Sequence, residues 1–291
     1  MRPTPRWTCA NWRGATGSGA RMPCACSMPQ RNPDPPLPSA TLMLLRQSRA
    51  GLEVLMLRRI IRAAFGGAWV FPGGVLDDQD RDRRLYRRCL GLNDDRASRL
   101  LALRRDGLAY WVAAIRETFE EAGLLLAVNG CGQGRRATLG ERKALLGGRV
   151  PFAELCRRAN WKLPAGRMHY VSHWITPSAA PRRFSTRFFV AESSPGLKAQ
   201  ADGREVLQAR WFEPDRALRQ QIPLAHPTRH FLRILREMEN IDQAMAWAAS
   251  AGRGSVPVTR PQVRRIDGKL MSCLPTGEVL GPFHMKDYPV S

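Results

Sequence analysis

The stretch Arg116-Glu117-Thr118-Phe119-Glu120-Glu121-Ala122-Gly123 constrains this chain more than any other. At about 100° per residue, its three glutamates fall within roughly a 100° arc of a helix. Trp111, Val112, Ile115, Phe119 and Ala122 take the opposite side. The pattern predicts a helix from Leu108 to Ala122, with one apolar and one carboxylate face, closed by Gly123 as a C-cap. Glu117 and Glu121 repel one another at i,i+4. Arg116 relieves Glu120, four residues on, and leaves that pair uncompensated. A hard divalent cation would turn the repulsion into attraction, since Mg²⁺ and Mn²⁺ prefer carboxylate oxygens. A solvated acidic face is the plain alternative.

The flanking sequence has room for a substantial core. The chain has 291 residues, of which 44% are hydrophobic and 24% charged, as in ordinary globular proteins. Its net charge of +21 favours anionic partners such as nucleotides, nucleic acid or membrane surfaces, without choosing among them. Seven scattered cysteines fit reduced thiols and a cytoplasmic setting better than a disulfide framework. No apolar run reaches transmembrane length.

Residues 1–38 lack periodicity and read as a disordered basic tail. From residue 39, "ATLMLLR" and "LEVLMLRR" predict a β-hairpin, and "AWVFPGGV" a further short strand turned at Gly73-Gly74. Residues 81–109 read as basic helical material. The glycines of "NGCGQGRR" mark a connection rather than a nucleotide-binding turn, because they follow a helix. "MHYVSHWITP", "STRFFVAES" and "EVLQARWFEP" predict three strands. An amphipathic helix is expected from Thr228 to Ala249, preceded by Pro227, and residues 241–291 are expected to pack back on the domain.

The order FPGG, acidic segment, then R-E-x-x-E-E-x-G resembles the signature of the Nudix hydrolases, G-x5-E-x7-R-E-U-x-E-E-x-G-U. Thr118 stands at its aliphatic position. With five residues, 75 to 79, between it and Gly74, the acidic position falls on Asp80 rather than a glutamate. Residues 81 to 115 then separate Asp80 from Arg116, 35 in place of 7. The coenzyme A diphosphatase branch of the family carries an insertion at this place, and the chain resembles that branch over residues 39–240. The resemblance implies an α/β/α sandwich with a mixed sheet and a helical insertion, 81–109, inside the signature.

It also implies a hydrolase of phosphorus anhydrides that uses Mg²⁺ or Mn²⁺ to activate water and neutralise phosphoryl charge. Glu117 and Glu121 become the expected metal ligands, with Glu120 and Arg116 as catalytic partners. Gly73, Gly74 and Arg58 become candidate phosphate or substrate contacts. Asp80 and Glu205 are secondary candidates, each with a plain reading as a turn or surface residue. A second family arginine, expected at Ala63, is displaced to Arg62. The implied substrate is a small nucleotide diphosphate, coenzyme A or an acyl derivative first, with ADP-ribose or NADH as the alternative. A basic RNA-binding or decapping protein is the reading from another class; no aromatic-interleaved stacking strand favours it. The H-x3-H pairs His169/His173 and His226/His230 read as packing histidines rather than zinc ligands.

Overall fold

A computed structural model describes residues 34–63, 65–129, 137–193 and 197–288. The expected tail, apart from residues 34–38, and most of the "NGCGQGRR" connection lie outside these residues. The hairpin forms as expected: β1 (Leu37–Ser48) pairs antiparallel with β2 (Gly51–Arg59). Pro72 then divides the FPGG segment into two short strands, β3 (Trp69–Val70) on β2 and β4 (Gly73–Val75) on β1. Next come the short helices α1 (Arg83–Tyr86) and α2 (Asp94–Leu100), and the acidic helix α3 (Leu108–Ala122).

Two helices not expected from the sequence follow, α4 (Leu139–Leu146) and α5 (Phe152–Arg158). Then β5 (His169–Ile175), β6 (Phe184–Glu192) and β7 (Val206–Phe212) supply the three expected strands. The single helix expected over 228–249 is instead two, α7 (His226–Leu235) and α8 (Ile241–Ala251), separated by a break, with α6 (Pro214–Arg219) ahead of them. The break has a local cause, because the Asn240 side chain accepts the Gln243 N–H and starts a new helix. Pro227 lies inside the first turn of α7, where its missing N–H costs nothing. The C-terminal segment gives β8 (Val258–Thr259) beside β5, then a three-stranded antiparallel sheet of β9 (Gln262–Ile266), β10 (Lys269–Cys273) and β11 (Val279–Pro282).

The main sheet is mixed. Its order is β3-β2-β1-β6-β5-β8, with β7 also on β2 and β4 on β1; β1–β6 and β5–β8 are parallel. Side-chain alternation along β1 and β2 feeds two cores. Leu42, Leu44, Leu55 and Leu57 point into the core under α3, while Met43, Leu45, Val54 and Met56 join Phe231, Leu232 and Ala248 of α7 and α8. Strands buried on both faces read as continuous apolar runs. Helices therefore cover both sides of the sheet, giving the α/β/α sandwich.

The carboxylate face of α3 is only partly solvated, at Glu117 and Glu120. Thirteen of its fifteen residues are buried, including Arg116 and Glu121, and Trp111 packs on Phe189 at 4.6 Å between ring centroids. Thr118, in the aliphatic place, returns its hydroxyl to the Ala114 carbonyl at 2.7 Å, which satisfies it inside the core.

The insertion anchors the start of this helix. Asp94 accepts the backbone N–H groups of Leu108 at 3.1 Å and Asp106 at 3.2 Å, and Ser98 accepts that of Gly107 at 2.9 Å. A β-carbon on Gly107 would strike the Ser98 backbone nitrogen. At the other end Gly123 takes φ 69°, and Arg142 of α4 donates twice to the Glu120 carbonyl, at 2.7 and 3.1 Å, where a cation complements the helix dipole.

His173 carries a test of this packing. Burial, with Arg187 nearby, holds its imidazole down at about 4, against about 6.5 in an unfolded chain. The unfolded state therefore takes up the proton first as pH falls. The stability held above pH 6.5 is lost progressively down to pH 4, by up to about 2–3 kcal/mol. Melting the parent and His173→Gln between pH 7.5 and 4.5 is expected to show the steeper loss in the parent.

Candidate active site

Arg116 is the centre of the site. Its guanidinium grips Asp80 in bidentate fashion, Nε to Oδ1 at 2.7 Å and Nη2 to Oδ2 at 2.8 Å. Nη1 donates to Glu117 Oε1 at 2.8 Å and to Glu120 Oε2 at 2.9 Å. One buried cation thus serves three carboxylates, and Glu117 is compensated where sequence spacing paired Arg116 with Glu120 alone. Asp80 is itself completely buried and also accepts the Asp77 backbone N–H at 2.8 Å, closing a capping box on the Asp78–Arg81 turn. The turn before the insertion and the helix after it are joined through this pair.

The FPGG turn brings its backbone against the same helix. A β-carbon on Gly74 would lie 2.6 Å from the Glu117 carboxylate carbon, and one on Gly73 would strike the Ala40 carbonyl of β1. Only glycine lets the two elements come this close. The Gly73 N–H donates to Glu121 Oε2 at 2.9 Å. The other oxygen of Glu121 accepts from Arg59 Nη1 at 3.1 Å, and Arg59 Nη2 reaches Glu205 at 3.3 Å.

Burial drives the electrostatics. It raises Glu117 to about 7, against the pull of Arg116 and with a push from Glu120. It raises Glu121 to about 8, against Arg59 and with a push from Glu117, and it raises Glu120 as well. Three carboxylates on two helical turns are thus gathered where their charge is disfavoured, and a cation beside them would relieve all three at once.

A cavity of about 740 Å³ opens over this cluster. Glu117 and Glu120 line it with Gly73 and Gly74, and Arg59, Arg62, Arg182 and Glu205 add charge to its walls. Phe65, Trp174, Phe184, Phe188 and Tyr288 supply aromatic surface.

Strand alternation decides which arginine takes part. Arg59 follows Leu55 and Leu57 onto the face under α3, whereas Arg58 is exposed and does not line the cavity. Motif spacing pointed to Arg58; the period of two along β2 pointed to its neighbour. Asp80 lies beneath the cavity rather than on its wall. Glu205 lines the cavity with an exposed side chain. Arg182 and Tyr288 were missed, because they come from distant segments with no shared motif, and His226, read as a packing histidine, also lines the cavity.

The donor set suits a hard divalent cation. Its members are carboxylate oxygens, and Mg²⁺-type ions are held by one or two carboxylates with substrate phosphate and water completing the shell. Among the described residues no group of three or more His, Cys, Asp or Glu side chains is already arranged around a cation position. Burial lowers all four histidines of the H-x3-H pairs. His230 packs on Trp174 at 5.2 Å between centroids, and His173 pairs with Ser185 Oγ at 2.8 Å.

Comparison with known proteins agrees with this geometry. A family model of the NUDT19 Nudix domain matches residues 85–228. The acyl-coenzyme A diphosphatase NUDT19 of Gallus gallus is 32% identical over 224 residues, 60% of this chain and 58% of that protein. Its Homo sapiens counterpart is 27% identical over 206 residues, covering 57% and 55%. The chain thus spans little more than half the length of these curated relatives. A solved NUDIX hydrolase from Alicyclobacillus acidocaldarius superposes with a TM-score of 0.63 at 25% identity, over 77% of this chain and 98% of that one. The FPGG turn, the Arg116 cluster and these likenesses agree: the chain has the Nudix hydrolase fold and is similar, over residues 85–228, to the NUDT19 Nudix domain.

Proposed function

We propose that this chain is a metal-dependent diphosphatase acting on coenzyme A or an acyl-coenzyme A, releasing phosphopantetheine or its acyl form and adenosine 3′,5′-bisphosphate. The observation that carries the reading is one cavity walled by the Glu117–Glu120 pair, four arginines and six Phe, Tyr or Trp side chains. Such a lining suits a ligand with an anionic centre and flat or apolar arms. The names of the NUDT19 relatives support the substrate class.

In the reaction, water adds across the diphosphate: its oxygen bonds one phosphorus, and the bridging oxygen leaves with the other phosphate. We assign Glu117 and Glu121 to hold a Mg²⁺ or Mn²⁺ ion. When bound, such an ion neutralises phosphoryl charge and makes water acidic near neutral pH. Glu120 presents Oε1, the oxygen outside its Arg116 hydrogen bond, to orient the attacking water. Arg59, Arg62 and Arg182 meet the phosphate oxygens, and the aromatic walls exclude solvent and bind the arms. Arg116 and Asp80 act through others: they fix the glutamates in place.

The direct test is product analysis on purified protein with Mg²⁺ or Mn²⁺, against coenzyme A, acetyl-coenzyme A, ADP-ribose, NADH and a capped RNA. Metal-dependent release of adenosine 3′,5′-bisphosphate is the expected result; preference for ADP-ribose, NADH or the cap would displace coenzyme A as the substrate. Glu117→Gln and Glu121→Gln are expected to fold and to lose at least a hundredfold in kcat. Gly74→Ala is expected to melt within a few degrees of the parent, since the struck group is the flexible end of Glu117. Its kcat is expected to fall at least tenfold, because that end is the working carboxylate. Full activity in Gly74→Ala would remove Glu117 from the site.

A further inference from the structure

Arg59 is only partly satisfied where it stands. Nη1 holds Glu121 and Nη2 holds Glu205, but the Glu205 side chain is 65% exposed, and a pairing so open to water contributes little. Among the described residues its Nε is buried with no acceptor at all, which leaves a desolvated donor uncompensated. The guanidinium also lines the cavity beside Glu117 and Glu120. A buried, unfilled donor on a planar fork at a cavity wall calls for an anion with several oxygens.

Glu121 shows the complementary feature. It is 4% exposed, and its two oxygens are taken by Arg59 and the Gly73 N–H. With the Gly73 bond built into the turn, Arg59 is the removable partner. A divalent cation and this guanidinium would compete for the same buried carboxylate.

We infer that Arg59 is the resident counter-ion of Glu121, and that it exchanges Glu121 for the substrate's phosphate oxygens when the site takes up its divalent cation. The inference rests on the metal-dependent reading above. It makes cation and diphosphate bind cooperatively: either one alone must displace or share Arg59, whereas both together satisfy Glu121, Arg59 with its Nε, and each other. The chain would hold the cation weakly until a diphosphate arrives.

The test is Mn²⁺ titration of the full chain by calorimetry and electron paramagnetic resonance at pH 8.5, with and without methylenediphosphonate, a diphosphate that is not hydrolysed. In the parent, methylenediphosphonate is expected to tighten Mn²⁺ at least tenfold. Arg59→Met is expected to bind Mn²⁺ alone at least fivefold tighter than the parent, and to lose most of the enhancement. Its metal-free melting temperature is expected to fall and to recover with Mn²⁺. Arg59→Lys, which keeps the charge with a shorter reach, is expected to fall between and serves if the methionine variant does not fold. Mn²⁺ affinity in both variants equal to or weaker than the parent's would overturn the exchange while leaving the metal site standing. A parent that binds no Mn²⁺ under either condition would overturn the metal reading itself.

Discussion

The site depends on one buried guanidinium. Arg116 is 4% exposed and touches Asp80, Glu117 and Glu120 within 2.9 Å. Without it, three carboxylates would be driven together in a region where burial already penalises their charge. With it, Asp80 fixes the guanidinium and the guanidinium fixes the two cavity glutamates. Breaking such a buried pair by removing one partner typically costs about 3–5 kcal/mol, much of it for the charge left behind. Stability and the geometry of the site are therefore set by the same contact.

The rest of the fold serves to keep α3 where that contact can form. The doubly buried strands β1 and β2 give it an apolar floor, the glycines of FPGG let the sheet edge approach its carboxylates, and the insertion supplies Asp94 and Ser98 to its first turn. The insertion does not line the cavity, so its place in the chain is explained by the helix it starts. Arg142 performs the corresponding task at the far end. Further cavity wall comes instead from β5, β6, the start of α7 and Tyr288.

Local and periodic features were legible in the sequence. The acidic helix, its Gly123 cap, the hairpin and the later strands announce themselves through spacing and turn residues. Asp80 was found by its count from Gly74, though not its complete burial, which only the fold reveals. The choice between Arg58 and Arg59 was also present, in strand alternation, but motif spacing spoke against it. The α4 helix carried a signal that was passed over, the capping box of Thr138 and Glu141. What could not be read was long-range: Glu121 meeting Arg59 across 62 positions, or Tyr288 reaching the cavity from the chain's last turn. Helix continuity through 236–240 misled because the apolar period persists there while Asn240 restarts the backbone.

The central claim is that a cluster disfavoured by burial is completed by a divalent cation. Anomalous diffraction from crystals grown with MnCl₂ tests it most directly. The account requires a manganese peak bound by the carboxylates of Glu117 and Glu121, with Arg116 still clasping Asp80. A peak confined to the histidines or the surface, with the three glutamates as they stand now, would contradict it.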